Sequence, residues 1–173
     1  MTTGTDRRRF DATQGPRLIG PDDGETVDLA SLGVRFMAWS AETGGGFSLV
    51  EHPMAPRALC APLHRHSRED EYSFVLEGRM GAQLGDDVVF AAVGDFVFKP
   101  RDQWHTFWNA GDTRCRILEI IAPGGFEQYF AELAAGAEPP AETGARYGLE
   151  FDVDSIPRLC AEHGLVFGPA SAG

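Results

Sequence analysis

Between residues 33 and 121 the chain is cut into short apolar segments by turn residues that recur about every ten positions. Val34–Trp39, Phe47–Glu51, Glu71–Leu76, Phe96–Phe98, Thr106–Trp108 and Cys115–Ile121 have the length and the β-branched and aromatic content of strands. Gln83-Leu84 and Val88–Ala91 flank Gly85-Asp86-Asp87 as a hairpin, and Gly44-Gly45-Gly46 forms another turn. No motif is shared from segment to segment, which excludes a solenoid repeat. The 21 glycines and 11 prolines, spread along the chain, suit short strands joined by tight turns better than a helical bundle. The expected fold class is all-β, a sandwich or barrel of many short strands.

The flanks read differently. Residues 16–32 suggest a short entry strand at Leu18-Ile19 and a polar loop at Pro21-Asp22-Asp23-Gly24. Residues 1–15 read as a solvated, flexible tail. Arg7-Arg8-Arg9 is similar to part of a twin-arginine export signal, but no apolar stretch comes after it between Asp11 and Gly24. After Pro123-Gly124-Gly125, Phe126, Tyr129, Phe130 and Leu133 recur at helical spacing. Gly136 to Thr143 reads as a linker. A second helix is expected from Asp154 or Ser155, with Pro157 in its first turn and Gly164 as its stop. The expected organisation is a tail over 1–15, one β domain over 16–125, and a helical extension over 126–173 that packs on it.

Length and charge narrow the function. A chain of 173 residues buries a core without disulfide support. Cys60, Cys115 and Cys160 lie far apart and form no CxxC pair, so they read as small buried apolar residues of a cytoplasmic protein. The formal net charge of −11 with no basic stretch argues against nucleic acid as a partner. No segment approaches the roughly 20 apolar residues of a membrane span. The expected partner is a small molecule.

The chemistry concentrates in two stretches. His64 and His66 are two apart, which on a strand puts both imidazoles on one face. Glu71 comes next, past a bend, and Pro100-Arg101-Asp102-Gln103-Trp104 leads to His105. Each piece alone is weak. A lone histidine is more often a core or surface residue, and His52 and His163 are read that way. His-x-His is a weak motif, and Glu69-Asp70-Glu71 alone is a charge run of the kind usually found solvated.

Together the spacings say more. His64, His66, Glu71 and Gly78, then Gly94, Pro100, His105 and Asn109, resemble the two cupin motifs, G-x5-H-x-H-x3–4-E-x6-G and G-x5-P-x-G-x2-H-x3-N. Only Glu71 stands seven residues before Gly78, which selects it over Glu69 and Asp70. Two positions depart from the pattern: Ala58 replaces the leading glycine of the first motif and Asp102 a turn glycine of the second. Asp tolerates positive φ, so that turn can survive. The segment from Pro123 to Phe130 is similar to the stretch after the barrel in small bacterial quercetinase-like cupins. The resemblance implies a jelly-roll cupin β-barrel with short C-terminal helices, a metal held by His64, His66, Glu71 and His105, and a homodimer.

Three neutral imidazoles and one carboxylate suit a divalent transition metal (Fe, Ni, Mn, Co, Cu or Zn) and leave coordination positions open for substrate. Strand alternation puts Cys60 on the face of His64 and His66, Ser73 and Val75 on that of Glu71, and Gln103 and Phe107 on that of His105. These form an expected substrate pocket of mostly apolar character. Phe126 and Tyr129 read as amphipathic packing rather than as a lid. Trp104, Thr106 and Trp108 face away from His105, and the tryptophans Trp39, Trp104 and Trp108 read as packing residues before dimer contacts. Lys99, the only lysine, reads as a turn residue before Pro100, so lysine chemistry has no support. The expected activity is a quercetinase-like dioxygenase, an oxidoreductase of small enol or phenol substrates, with Glu71 as ligand and proton acceptor. The alternatives are a non-redox metal-dependent isomerase or cyclase, and a non-enzymatic small-molecule-binding cupin.

Overall fold

A computed structural model describes residues 15–16, 18–137 and 140–168, so the expected tail lies outside the described residues except for Gly15. The strands are β1 (Thr26–Asp28), β2 (Gly33–Ala38), β3 (Ser48–Met54), β4 (Leu63–His66), β5 (Asp70–Glu77), β6 (Arg79–Leu84), β7 (Asp87–Ala92), β8 (Phe96–Lys99), β9 (His105–Asn109), β10 (Cys115–Ala122) and β11 (Leu149–Asp152). The helices are α1 (Glu127–Ala134), α2 (Pro140–Arg146) and α3 (Ser155–His163). One antiparallel sheet runs β1-β2-β3-β10-β5-β8 and the other β11-β4-β9-β6-β7. The result is the expected all-β jelly roll, as a two-sheet sandwich whose sheets are not hydrogen-bonded into a closed barrel.

Alternation explains the core. Val34 and Phe36 on β2, Val50 and Met54 on β3, Val75 on β5, Met80 and Ala82 on β6, and Ile117 and Ile121 on β10 all point between the sheets. A smaller cluster of Leu59, Trp108, Leu159 and Leu165 lies where α3 covers the second sheet. Gly81 makes room for it, since a Cβ there would stand 2.2 Å from the Trp108 indole nitrogen. Trp39 stacks on Phe36 at 4.4 Å, so Trp39 and Trp108 are packing residues.

The extension differs from the expectation in two places. The stretch read as a linker contains the start of α2, and β11 was not expected at all. β11 pairs with β4, with Leu149 opposite His66 and Phe151 opposite His64. Its four residues are too few to show a period. Leu18-Ile19 forms no strand; Leu18 is exposed, and among the described residues the first strand is β1. α3 ends where expected, on Gly164 in the left-handed conformation (φ 63°). Among the described residues no helix is long and apolar enough to cross a membrane.

Candidate metal centre

The site is built from both sheets. β4 carries His64 and His66, with the intervening Arg65 facing away, and β9 sets His105 directly opposite His64. Glu71 comes from β5 in the facing sheet. One ligand atom from each of the four lies within 4.8 Å of the others, and all four residues are buried. The left-handed turn before His105 is held by Asp102 (φ 62°), whose N–H donates to the His66 carbonyl at 2.7 Å. Asp thus does the work of the missing glycine. Gly78 (φ 74°) closes β5 so tightly that a Cβ would lie 2.6 Å from the Arg114 carbonyl oxygen.

The rings are aimed by the backbone. Nδ1 of His64 lies 2.8 Å from the Pro62 carbonyl, and Nδ1 of His105 lies 3.0 Å from that of Gln103. With the proton held on Nδ1, each Nε2 lone pair is left for the centre. Both ring nitrogens of His66 are buried without a hydrogen-bond partner, Nε2 standing 3.4 Å from a Glu71 oxygen. A buried polar atom left unpaired is costly. A divalent cation among these four side chains gives one of the two nitrogens, the Nε2 that faces Glu71, its partner, so the donor set fits one.

Charge states agree with this fit. Burial pushes the His64 imidazole well below its usual range and lowers that of His105, keeping both neutral as ligands must be. Burial opposes ionisation of Glu71, but Lys99, His66 and His105 outweigh it and hold the carboxyl well below the usual carboxylate range. Such a carboxylate is a good ligand and a poor proton acceptor at neutral pH. That weakens the second role expected of Glu71.

Two residues at the centre escape the sequence reading. Lys99 is on β8, not in a turn, and is buried. Its ammonium stands 2.9 Å from Glu71 Oε2, 2.6 Å from Glu119 Oε1 and 4.6 Å from the Phe107 ring centre. Burial works against its charge, and the two carboxylates more than compensate, so Lys99 stays protonated. Glu119 lies on the inward face of β10 between Ile117 and Ile121 and accepts a hydrogen bond from Ser73 Oγ at 2.7 Å. The signal was present as parity: Lys99 shares the face of Val97, and Glu119 that of Ile117 and Ile121.

A cavity of about 490 Å³ reaches this centre. Of the expected pocket residues, Cys60 and Phe107 line it. Ser73 sits behind Glu119, and Val75 is packed in the core, so neither lines it. Gln103 is exposed and contributes only its carbonyl to His105. Phe126 and Tyr129, read as plain packing, do line the cavity, with Phe130 from α1 and Leu149 and Phe151 from β11. His52 lines it too, neutral, its imidazole lowered to about 4 by burial. His163 is instead stacked on Trp108 at 4.6 Å. No Arg or Lys is among the described lining residues.

Residues 51–121, which carry all four candidate ligands, match the family described as Cupin domain. KdgF from Halomonas sp. superposes with a TM-score of 0.58 at 14% identity over 65% of this chain and 98% of its own. An RmlC-like cupin from Shewanella frigidimarina gives 0.56 at 17% identity over 65% and 96%. A cupin-superfamily sugar phosphate isomerase from Silicibacter pomeroyi gives 0.53 at 19% identity over 61% and 75%. These likenesses identify the fold as the cupin jelly roll. No curated protein matches the chain in sequence.

Proposed function

We propose that this cupin-fold chain is a metal-dependent oxidoreductase of the quercetinase-like dioxygenase type, acting on a small, largely apolar substrate through an enol or phenol oxygen. One observation carries the reading: the buried cluster of His64, His66, Glu71 and His105 stands at the end of an apolar cavity whose described lining holds no cationic side chain. A phosphorylated or dicarboxylate substrate needs cationic or amide partners that this lining does not supply. A flat, weakly acidic molecule with one coordinating oxygen suits it.

His64, His66, Glu71 and His105 would hold the ion, which is Fe, Ni, Mn, Co, Cu or Zn. When bound, the ion supplies Lewis acidity and, if redox-active, a route to dioxygen. The chain does the rest. Phe107, Phe126, Tyr129 and Phe130 offer ring faces to the substrate and keep water out. Lys99 holds the Glu71 and Glu119 carboxylates in place from between them.

A second reading, a non-redox isomerase or cyclase, is favoured by Glu119. Its carboxyl is raised to about 7 by burial and by the Glu71 charge, against the pull of Lys99. Such a group moves protons without any oxidant. The test uses protein loaded in turn with Fe, Ni, Mn, Co, Cu and Zn, offered flavonols and simple 1,3-diketones. Oxygen uptake with a redox-active ion supports the dioxygenase. Anaerobic exchange of substrate hydrogen with solvent in the Zn form, without oxygen uptake, replaces it with the second reading. Tight binding with neither reaction overturns both in favour of a binding protein.

We also assign the protein to the cytoplasm, in keeping with three free cysteines. The expected homodimer belongs on the outer face of the first sheet rather than on the tryptophans. There Tyr72 stacks with Phe98 at 5.0 Å, and Phe74, Phe96 and Ile120 are exposed beside the edge strand β8. An apolar edge of this kind pairs with its own copy about a two-fold axis.

A further inference from the structure

The inner face of β5, β8 and β10 should be apolar in a sandwich of this kind, yet it carries Glu71, Ser73, Lys99 and Glu119, all buried. Glu71 has a purpose as a candidate ligand. Glu119 has none in that role, since it lies outside the cluster of four. A carboxyl buried among Ile117, Ile121 and Val50 is a steep cost for the fold unless it is used.

Its placement is specific. Ser73 Oγ donates to Oε2 at 2.7 Å, and Lys99 Nζ stands 2.6 Å from Oε1. The same ammonium touches Glu71 at 2.9 Å, so Glu71 and Glu119 flank one cation. Both carboxyls line the cavity, and a substrate oxygen brought to the four ligands lies in the same cavity as Glu119. The charged and titratable groups that act on Glu119 are Lys99 from β8, Glu71 from β5 and Cys60, and His52 from β3 and His64 from β4 line the same cavity. Of these, Lys99 is bound between two acids, Cys60 is pushed well above its usual range by burial, and His52 is a weak base at about 4.

We propose that Glu119 is a catalytic residue that takes the proton from the substrate hydroxyl, a role that rests on the enol or phenol reading above. The substrate O–H bond breaks, its electron pair stays on the oxygen as enolate or phenolate, and the proton forms an O–H bond on the Glu119 carboxylate. On product release the proton returns to solvent. A carboxyl raised to about 7 is balanced between giving and taking a proton at neutral pH. Lys99 and Ser73 are positioning residues for it.

The proton inventory of binding tests this without turnover. The full chain is loaded with Zn²⁺ and titrated with catechol, a phenol that is neutral in solution near pH 7, in buffers of different ionisation enthalpy. At acid pH Glu119 is already protonated, and about one proton per bound catechol passes to the buffer. As pH rises through neutrality the carboxylate captures that proton, and net release falls toward zero. Glu119→Gln keeps its Zn²⁺ and still binds catechol, but releases about one proton at every pH. Equal, pH-independent release by wild type and Glu119→Gln overturns the role of Glu119 and leaves the substrate class standing. Failure of the wild type to bind catechol overturns the substrate class and this role with it. If Glu119→Gln does not fold, the wild-type pH dependence decides alone, a flat release of about one proton being the contrary result.

Discussion

Single residues here are governed by burial. His52 hydrogen-bonds the Gly33 carbonyl through Nδ1 at 3.0 Å and is held neutral, its value lowered to about 4. A lowered histidine means that the unfolded chain takes up the proton first as pH falls. The stability that His52 contributes is therefore complete above about pH 6.5 and is lost as pH drops toward 4, on the order of 3 kcal/mol. Denaturant titrations of the metal-free protein across that range will show the loss, and His52→Asn will flatten the part due to His52. At this scale the four ligands were legible because their spacing to Gly78, Pro100 and Asn109 is so restrictive. Lys99 and Glu119 were not. Phe96 and Phe98 give β8 an apolar face that a sequence reading assigns to the core, whereas the structure turns that face outward and Lys99 inward.

Elements are joined by a few buried polar links. Glu127, the first residue of α1, is fully buried and accepts hydrogen bonds from the Ser40 and Gly125 backbone N–H groups and from Ser40 Oγ. It ties α1, and with it the cavity wall of Phe126, Tyr129 and Phe130, to the loop after β2. Glu127→Gln removes a charged acceptor and will lower unfolding stability by about 2 kcal/mol, read as a lower denaturant midpoint with unchanged slope. The helices α1 and α3 were legible from apolar spacing and from the Pro157 and Gly164 signals. β11 and α2 were not, because four and seven residues carry too little periodicity to stand out. The loss mattered, since β11 covers β4 and sets Phe151 beside His64, with ring centres 5.9 Å apart.

The molecule as a whole is inverted on one sheet. Three neighbouring strands, β10, β5 and β8, turn acids and a lysine inward and apolar side chains outward, Ile120 on β10 and aromatic ones on β5 and β8. The inward groups make the site; the outward ones make a surface that a lone chain exposes to water at a cost. The expected mass in solution is therefore twice the 18.8 kDa of the chain. Sedimentation of Phe96→Glu and Phe98→Glu variants will give monomers that still fold and keep their metal, while monomeric wild type would contradict the assigned interface. The fold class was readable in the rhythm of strands and turns. Which face of β8 looked inward was not, because its polarity points the wrong way.

The chemistry stands on the metal. The decisive measurement is elemental analysis of untagged protein purified without chelators, wild type beside His105→Ala. About one first-row transition ion per wild-type chain, lost in the variant while far-UV circular dichroism is unchanged, is the predicted result. Wild type without metal, or a variant that retains it in full, would contradict the assignment of His64, His66, Glu71 and His105 as its ligands.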